Sequence, residues 1–136
     1  MAVLSSRSPA WIIQKAVFSR LDTDLPEPVY DHVPDGSAYP YVVIGDDAES
    51  SWNTKQLGGV EVELSITVYA QYRGWRTTKE LADSVIASMT GVALDLSTDS
   101  FSALAVIYDG SQQNRHPDGI TREIELSFRV KVQDIT

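Results

Sequence analysis

The sequence predicts an α+β domain in which a mainly antiparallel sheet carries two helices on one face. Two segments alternate strictly between apolar and polar residues, as in strands with one buried face, and these are residues 60–73 and 123–132. Two other segments, 10–21 and 77–89, repeat apolar residues at helical spacing. The 136 residues fit one domain of common size, so we expect a single domain over 1–136.

The first predicted helix spans residues 10–21. Ser8 and Pro9 suit its N-cap and first helical position. Its apolar stripe consists of Ala10, Ile13, Val17 and Leu21, with Trp11 and Ile12 toward the flank. The prolines at positions 26 and 28 end the helix and favour an extended chain.

The next segment predicts a buried strand between two polar stretches. A short extended piece at 29–30 leads to a turn at Pro34-Asp35-Gly36, and residues 39–44 (YPYVVI) follow as the strand. Residues 45–59 (GDDAESSWNTKQLGG) predict a long polar loop that contains Trp52. A loop of this length in a compact domain is commonly functional.

The alternating segment 60–73 (VEVELSITVYAQYR) predicts the central strand of the domain. At about 3.3 Å per residue it would run roughly 45 Å, whereas strands of about five or six residues are usual. We therefore expect it to bend or to reach past its own domain. The last strand has the same one-sided pattern, so the two strands should lie side by side.

The second predicted helix follows the long strand. Thr77 and Glu80 form a capping box, and Gly91 is placed just after the last turn. We expect a short strand at 92–96 and another at 101–108. A polar loop at 109–119 contains a second Pro-Asp-Gly turn and leads to the last strand.

Bulk composition limits the function classes. The net charge of −8 argues against a protein that grips nucleic acid, although it permits one that lets DNA pass. Without cysteine there is no thiolate metal site, disulfide or cysteine nucleophile. The apolar runs fall short of the roughly 20 residues of a membrane span, and the N-terminus lacks the features of a signal peptide.

Candidate catalytic residues are sparse, which disfavours an enzyme. His32 and His116 stand beside proline-containing turns without triad or metal spacing, and we interpret them as solvated loop histidines. The acids at 46, 47 and 49 lack calcium-loop spacing and are interpreted as turn-forming and solubilising. Glu61 and Glu63 share a strand face, where Arg129 and Lys131 are expected partners.

Aromatic residues are the more informative candidates. Trp52 either folds back over the core or anchors a partner. Trp75, between Arg73 and Arg76, could stack on a guanidinium within the chain or across an interface. Tyr69 and Tyr72 stand on opposite faces of the long strand, so at least one leaves the main core.

Three segments in order resemble the tail terminator (tail-completion) proteins of long-tailed bacteriophages and gene transfer agents. They are VYDHVPDGSAYPYVVIGDD, SSWNTKQLGGVEVELSITVYAQYRGW and RHPDGITREIELSFRV. The shared features are a V-Y-D…V-P segment before P-Y-V-x-I-G, a W-x-T-K loop, and a long strand ending in an Arg/Gly turn. A D-G-x-T-R sequence then starts the last strand.

This resemblance implies a structural virion protein without catalysis or cofactor. It implies a homo-oligomeric, six-fold ring that stops tail-tube polymerisation at the head-proximal end and joins the head connector or stopper. DNA would pass through the lumen without specific binding. The implied location is the head–tail junction of the virion after assembly in the host cytoplasm, with no membrane partner. Which residues would face the DNA is left open.

From these residues we hypothesise a subunit or tube interface. The candidates are Trp52, Thr54, Lys55, Tyr69, Arg73, Trp75 and Arg76. Within virion proteins, the alternative is another head–tail connector or a tail-tube ring subunit. From another class, the alternative is a small hydrolase or ligand-binding module. A concave pocket that holds a histidine with carboxylates would favour the latter.

Overall fold

A computed structural model of the protein describes residues 8–51, 59–91, 94, 96 and 101–134. Helix α1 (Ala10–Asp24) is followed by strands β1 (Val29–Tyr30), β2 (Tyr41–Ser51) and β3 (Gly59–Gln71). Helix α2 (Arg76–Gly91) then precedes β4 (Phe101–Arg115) and β5 (Thr121–Asp134). The order of helices and strands agrees with the predicted α+β class.

The five strands form one sheet in the order β1-β2-β3-β5-β4. Only β1 and β2 are parallel, and the other pairs are antiparallel. Strand β3 pairs with β5 along its entire length, from Gly59 opposite Gln133 to Gln71 opposite Thr121. The predicted neighbourhood of these strands is therefore confirmed. Of the two expectations for β3, that it bends or that it reaches past its domain, the second is wrong, because β5 accompanies it along all 13 of its residues.

Both helices pack on one face of the sheet, as predicted. Helix α1 lies over β1 and β2, whereas α2 lies over β3, β5 and β4. The even-numbered residues of β3 and β5 meet the helices in one hydrophobic cluster, to which α1 contributes Ile13, Val17 and Leu21. We call the opposite side of the sheet the open face. It carries Glu61, Glu63 and Ser65 of β3 beside Ser127, Arg129 and Lys131 of β5.

The predicted helix starts need correction. Pro9, not Ser8, is the N-cap of α1. The hydroxyl of Ser8 accepts a bond from the backbone nitrogen of Ala10 (3.3 Å) and donates to Glu49 (2.7 Å). Helix α2 begins at Arg76, because Lys79 N donates to Trp75 O (2.8 Å). Thr77 therefore lies inside the helix, and no capping box forms. Gly91, predicted just beyond the helix, is its last residue.

Two segments predicted as polar loops are strand over most of the residues that the structure describes there. Strand β2 continues through residues 45–51, after a bulge between Ile44 and Asp47. Strand β4 continues to Arg115, after bulges between Ala103 and Ala105 and between Tyr108 and Gly110. A bulge interrupts the two-residue alternation, so a polar continuation beyond it carries no strand pattern.

The predicted short strand at 92–96 is only partly covered by the described residues. Leu94 and Leu96 are buried in the core, and neither lies in a strand. Positions 92, 93 and 95 lie outside the described residues. In the described part of the chain, neither helix has the length and apolar content needed to cross a membrane.

Candidate assembly surfaces

The predicted interface residues fall into two groups. Trp52, Thr54 and Lys55 lie outside the described residues, so their surroundings stay undescribed. They belong to the stretch 52–58, between the paired ends of β2 and β3 at Ser51 and Val60. The other four, Tyr69, Arg73, Trp75 and Arg76, lie at the opposite end of β3 and at the start of α2.

Trp75 is held inside its own chain by two guanidinium groups. The guanidinium carbons of Arg115 and Arg122 each lie 5.6 Å from its ring centroid. Arg122 is 4% exposed, and its Nη2 donates to the carbonyl oxygen of Arg73 at 2.7 Å. This cluster ties the end of β3 to β5 and β4. Of the two predicted alternatives, stacking within the chain is the one observed, although the partners are not the sequence neighbours Arg73 and Arg76.

Arg76 points away from this cluster. Its side chain is 89% exposed, and its Nε forms an ion pair with Glu80 one helical turn later (2.8 Å). An exposed pair of this kind contributes little to stability. Arg76 is therefore available to a partner at small cost to the fold.

Tyr69 belongs to a row of aromatic rings on the open face. Its ring centroid lies 5.2 Å from that of Tyr41, which stacks on Tyr39 at 4.9 Å. Burial, with Tyr39 next in importance, raises the pKa of Tyr41 to about 12. Burial and the nearby Glu123 also raise the pKa of Tyr69, so both phenols stay protonated at neutral pH. The row gives this end of the sheet a rigid, largely apolar patch.

His116 is less solvated than predicted. Its ring is 6.1 Å from that of Tyr69, and its Nε2 lies 2.9 Å from the Glu123 carboxylate. A histidine–carboxylate pair is one part of a hydrolytic triad. Within the described residues, however, no Ser or Thr hydroxyl is bonded to His116, and no group of acids and histidines could hold a metal ion. His32 is exposed, as predicted.

The D-G-x-T-R sequence builds the turn between β4 and β5. The Asp118 carboxylate accepts bonds from the backbone nitrogens of Ile120 (2.9 Å) and Thr121 (2.7 Å), and from the Thr121 hydroxyl. These bonds, the hydroxyl bond first, lower the pKa of Asp118 to about 2. Gly119 takes a positive φ of 80° in the turn. Asp118, Gly119 and Thr121 therefore shape the turn, while Arg122 anchors Trp75.

Acidic side chains line a concavity on the open face. It has a volume of about 330 Å³ and is bordered by Asp46, Asp47, Glu63 and Asp109. Asp46 and Asp47 lie at the β2 bulge, which corrects their predicted role in a turn. Arg129 bonds Asp109 (2.7 Å) and pairs with Glu61 (3.5 Å). Lys131 Nζ also lies 4.0 Å from the Glu61 carboxylate. The predicted pairing with Arg129 and Lys131 is thus confirmed for Glu61, whereas Glu63 borders the concavity.

Comparison with known proteins identifies the family. The profile of the family described as tail completion protein gp17 matches residues 15–133. The chain belongs to the tail completion protein gp17 family. The resemblance inferred from the ordered motifs is therefore confirmed, and this tail completion protein is a structural component of the virion tail.

Two solved structures show the same fold. A chain in "Virion of native gene transfer agent (GTA) particle" has a TM-score of 0.82 and 27% identity, covering 94% of this chain and 99% of that one. A chain in "Structure of bacteriophage SPP1 gp17 protein" has a TM-score of 0.62 and 21% identity, covering 100% and 99%. The search of curated protein sequences gave no match to this tail completion protein.

Proposed function

We propose that this tail completion protein forms a ring, most simply of six copies, on the head-proximal end of the tail tube. The ring stops tube polymerisation and offers the surface to which the head connector joins, while DNA passes through its centre. The observation that carries this proposal is the family match over residues 15–133. The similarity to a chain of a gene transfer agent virion supports it, since nearly all of both chains align.

The chemistry of the described residues supports assembly rather than catalysis. Two of the ionisable groups, Arg122 and Asp118, hold strands and a turn together. The His116–Glu123 pair packs against Tyr69, and no Ser or Thr hydroxyl of the described residues is bonded to the imidazole. We therefore propose that the protein acts without a cofactor or a reaction step.

Acidic charge suits a channel for DNA. Six copies would carry a formal charge of −48, six times −8. We propose that the acidic concavity bordered by Asp46, Asp47 and Asp109 faces the lumen, where it would repel phosphate and keep DNA from adhering. A variant with Asp46→Lys and Asp47→Lys should retain DNA in the tail at ejection, whereas Asp35→Lys in the distant turn should not. Normal ejection by the first variant would contradict this placement.

The stretch 52–58 is proposed as an intersubunit or tube contact, because it follows a β2 end whose residues 46–50 are exposed. Aromatic and arginine side chains contribute disproportionately to interfaces. Trp52→Ala should lower the mass of rings in solution and yield tails of irregular length in lysates. Unchanged rings together with normal tails would exclude this role for Trp52.

Deleting the gene from the genome that encodes the particle tests the proposed function directly. The proposal predicts tail tubes of uncontrolled length and filled heads without tails, both restored by the wild-type gene. Tails of normal length that fail to join heads would instead favour a connector subunit. Absence of any tube would favour a tube subunit. Electron micrographs of the lysates distinguish these outcomes.

A further inference from the structure

The helix layer has two outer flanks that face away from each other. Helices α1 and α2 touch along one side, where Ser88 donates to Asp24 (2.6 Å) and Arg20 donates to the Ser88 carbonyl (2.9 Å). The opposite side of α1 overhangs β1 and β2, and the opposite side of α2 overhangs β5 and β4. Each helix therefore borders a groove at one lateral edge of the sheet.

The outer side of α1 exposes two large aromatic side chains. Trp11 is 63% exposed and Phe18 is 40% exposed, one at each end of the same flank. Lys15 lies between them, with its Nζ 6.0 Å from the Trp11 ring centroid. Together with Gln14, Asp31 and Ile44 they border a groove of about 290 Å³. We call this surface the aromatic flank. Clustered exposed aromatic residues are typical of interaction sites.

The outer side of α2 borders a groove of about 330 Å³ above β4 and β5. Its α2 wall presents Lys79, Asp83 and Ile86, and its β4 wall presents Tyr108, Ser111 and Gln113. Its floor is the apolar pair Ile124 and Leu126. Since a water molecule occupies about 30 Å³ in the liquid, the groove has room for a large side chain. We call this surface the α2 groove.

The two surfaces complement each other in apolar character and in charge. The aromatic flank projects apolar side chains, and the α2 groove has an apolar floor. Each also carries one lysine and one aspartate: Lys15 and Asp31 on the flank, Lys79 and Asp83 on the groove. A closed ring needs two different patches on each subunit that meet head to tail. The opposite edges of the sheet place these patches suitably for such an assembly.

We propose that the aromatic flank of one copy docks into the α2 groove of the next copy, with Lys15 opposite Asp83 and Asp31 opposite Lys79. This inference rests on the ring proposed above and specifies its subunit contact. The occupant is a second copy because the complementary surface belongs to the same chain and lies at its opposite edge. Trp11 and Phe18 provide the apolar anchors, and the two charge pairs fix the register.

The first test changes each surface separately without touching the core. Trp11→Ala removes an anchor, and Ser111→Arg blocks the exposed β4 wall of the groove. Each should raise the concentration for half-assembly about thirtyfold, as expected for an interface hot spot. The controls are Tyr72→Ala, an aromatic side chain that is 59% exposed at the end of β3, and Gln112→Arg, next to Ser111 on the other face of β4. Both controls should assemble like the wild type.

The second test exchanges the charges. Lys15→Glu and Asp83→Lys should each raise the half-assembly concentration about fivefold, and the double variant should return it to near the wild-type value. A role of either residue in folding alone would give no such rescue. Mass photometry measures assembly in solution, and labelled copies per tube end measure it on isolated tail tubes.

The outcomes separate this contact from the ring itself. If all of these variants assemble into rings at the wild-type concentration, the proposed contact is overturned and the proposed function stands. If the variants still form rings but no longer bind tubes, the aromatic flank binds the tube instead of the next copy, which also overturns the contact. A wild-type chain that forms no ring in solution or on tubes would refute the proposed function. Loss in the single variants with rescue in the double variant supports both.

Discussion

The two central strands and the two outer long strands of the sheet are held in different ways. Strands β3 and β5 pair over thirteen consecutive positions without a register shift, and their even-numbered residues are buried under the helices. Strands β2 and β4 are interrupted by bulges, and beyond them residues 46–50 and 111–113 are exposed. Burial therefore specifies the centre, whereas backbone pairing and local turn geometry maintain the outer extensions. The outer extensions are also where polar side chains are available to partners.

Removing a buried aromatic side chain from a central strand should have the largest effect on stability. Phe128, on β5, is 1% exposed, so Phe128→Ala should lower the free energy of unfolding by about 3–5 kcal/mol. Phe18→Ala is the matched control on the exposed flank of α1 and should cost less than about 1 kcal/mol. Urea unfolding followed by circular dichroism measures both. Equal losses would contradict the assignment of stability to the centre.

The β4 bulge should depend on the backbone freedom of Gly110. Its φ of 135° is unfavourable for side-chain-bearing residues, so Gly110→Ala should cost about 1–3 kcal/mol. Gly74→Ala is the control, because a Cβ there meets no atom within 4 Å and its φ is not positive. Thermal unfolding of the two variants compares them. A loss at Gly74 as large as that at Gly110 would refute the backbone explanation.

The β2 bulge should depend on the absence of a side chain at Gly45 rather than on an unusual φ. A Cβ at Gly45 would collide with the hydroxyl of Ser65 on β3 and lie 3.2 Å from the Ser65 carbonyl oxygen. Gly45→Ala should therefore cost about 1–2 kcal/mol, and Ser65→Ala in the same chain should recover part of it. A double-mutant cycle by urea unfolding measures the coupling. Strictly additive losses would argue against this contact.

The smallest effect concerns the Pro-Asp-Gly turn between β4 and β5. The folded-state pKa of Asp118 is about 2, below its ordinary value of 3.8. The unfolded chain therefore binds this proton more readily, and the stabilisation present above about pH 4 is lost as the pH falls toward 2. Asp118→Asn should flatten the pH dependence of unfolding in this interval. A pH dependence that Asp118→Asn leaves unchanged would contradict this role of the carboxylate.

The sequence predicted those parts of the molecule in which burial leaves a pattern. The alternation of β3 and β5 and the stripes of both helices are present in the structure with small shifts at their ends. The sequence does not predict the strand character of residues 46–51 and 109–115. Such a strand is exposed to solvent on both faces, so apolar and polar residues do not alternate along it. The partners of Trp75 were missed for another reason: Arg115 and Arg122 come near only when β4 and β5 pair.

The D-G-x-T-R part of the family resemblance shapes local structure. Asp118, Gly119 and Thr121 make the β4–β5 turn, and Arg122 fastens Trp75. The aromatic flank is not apparent from the sequence, since Trp11 lies at the margin of the predicted apolar stripe of α1. Trp11 and Phe18 are exposed because α1 packs against α2 on its other side.

Imaging the head-proximal end of isolated tails, with the chain labelled, tests the central claim most directly. The account predicts a closed ring of six copies at that end, related by rotation about the tube axis, with α1 of each copy against α2 of the next. A label in the head or at the distal tip would contradict the account. Copies arranged in pairs about two-fold axes would contradict it equally.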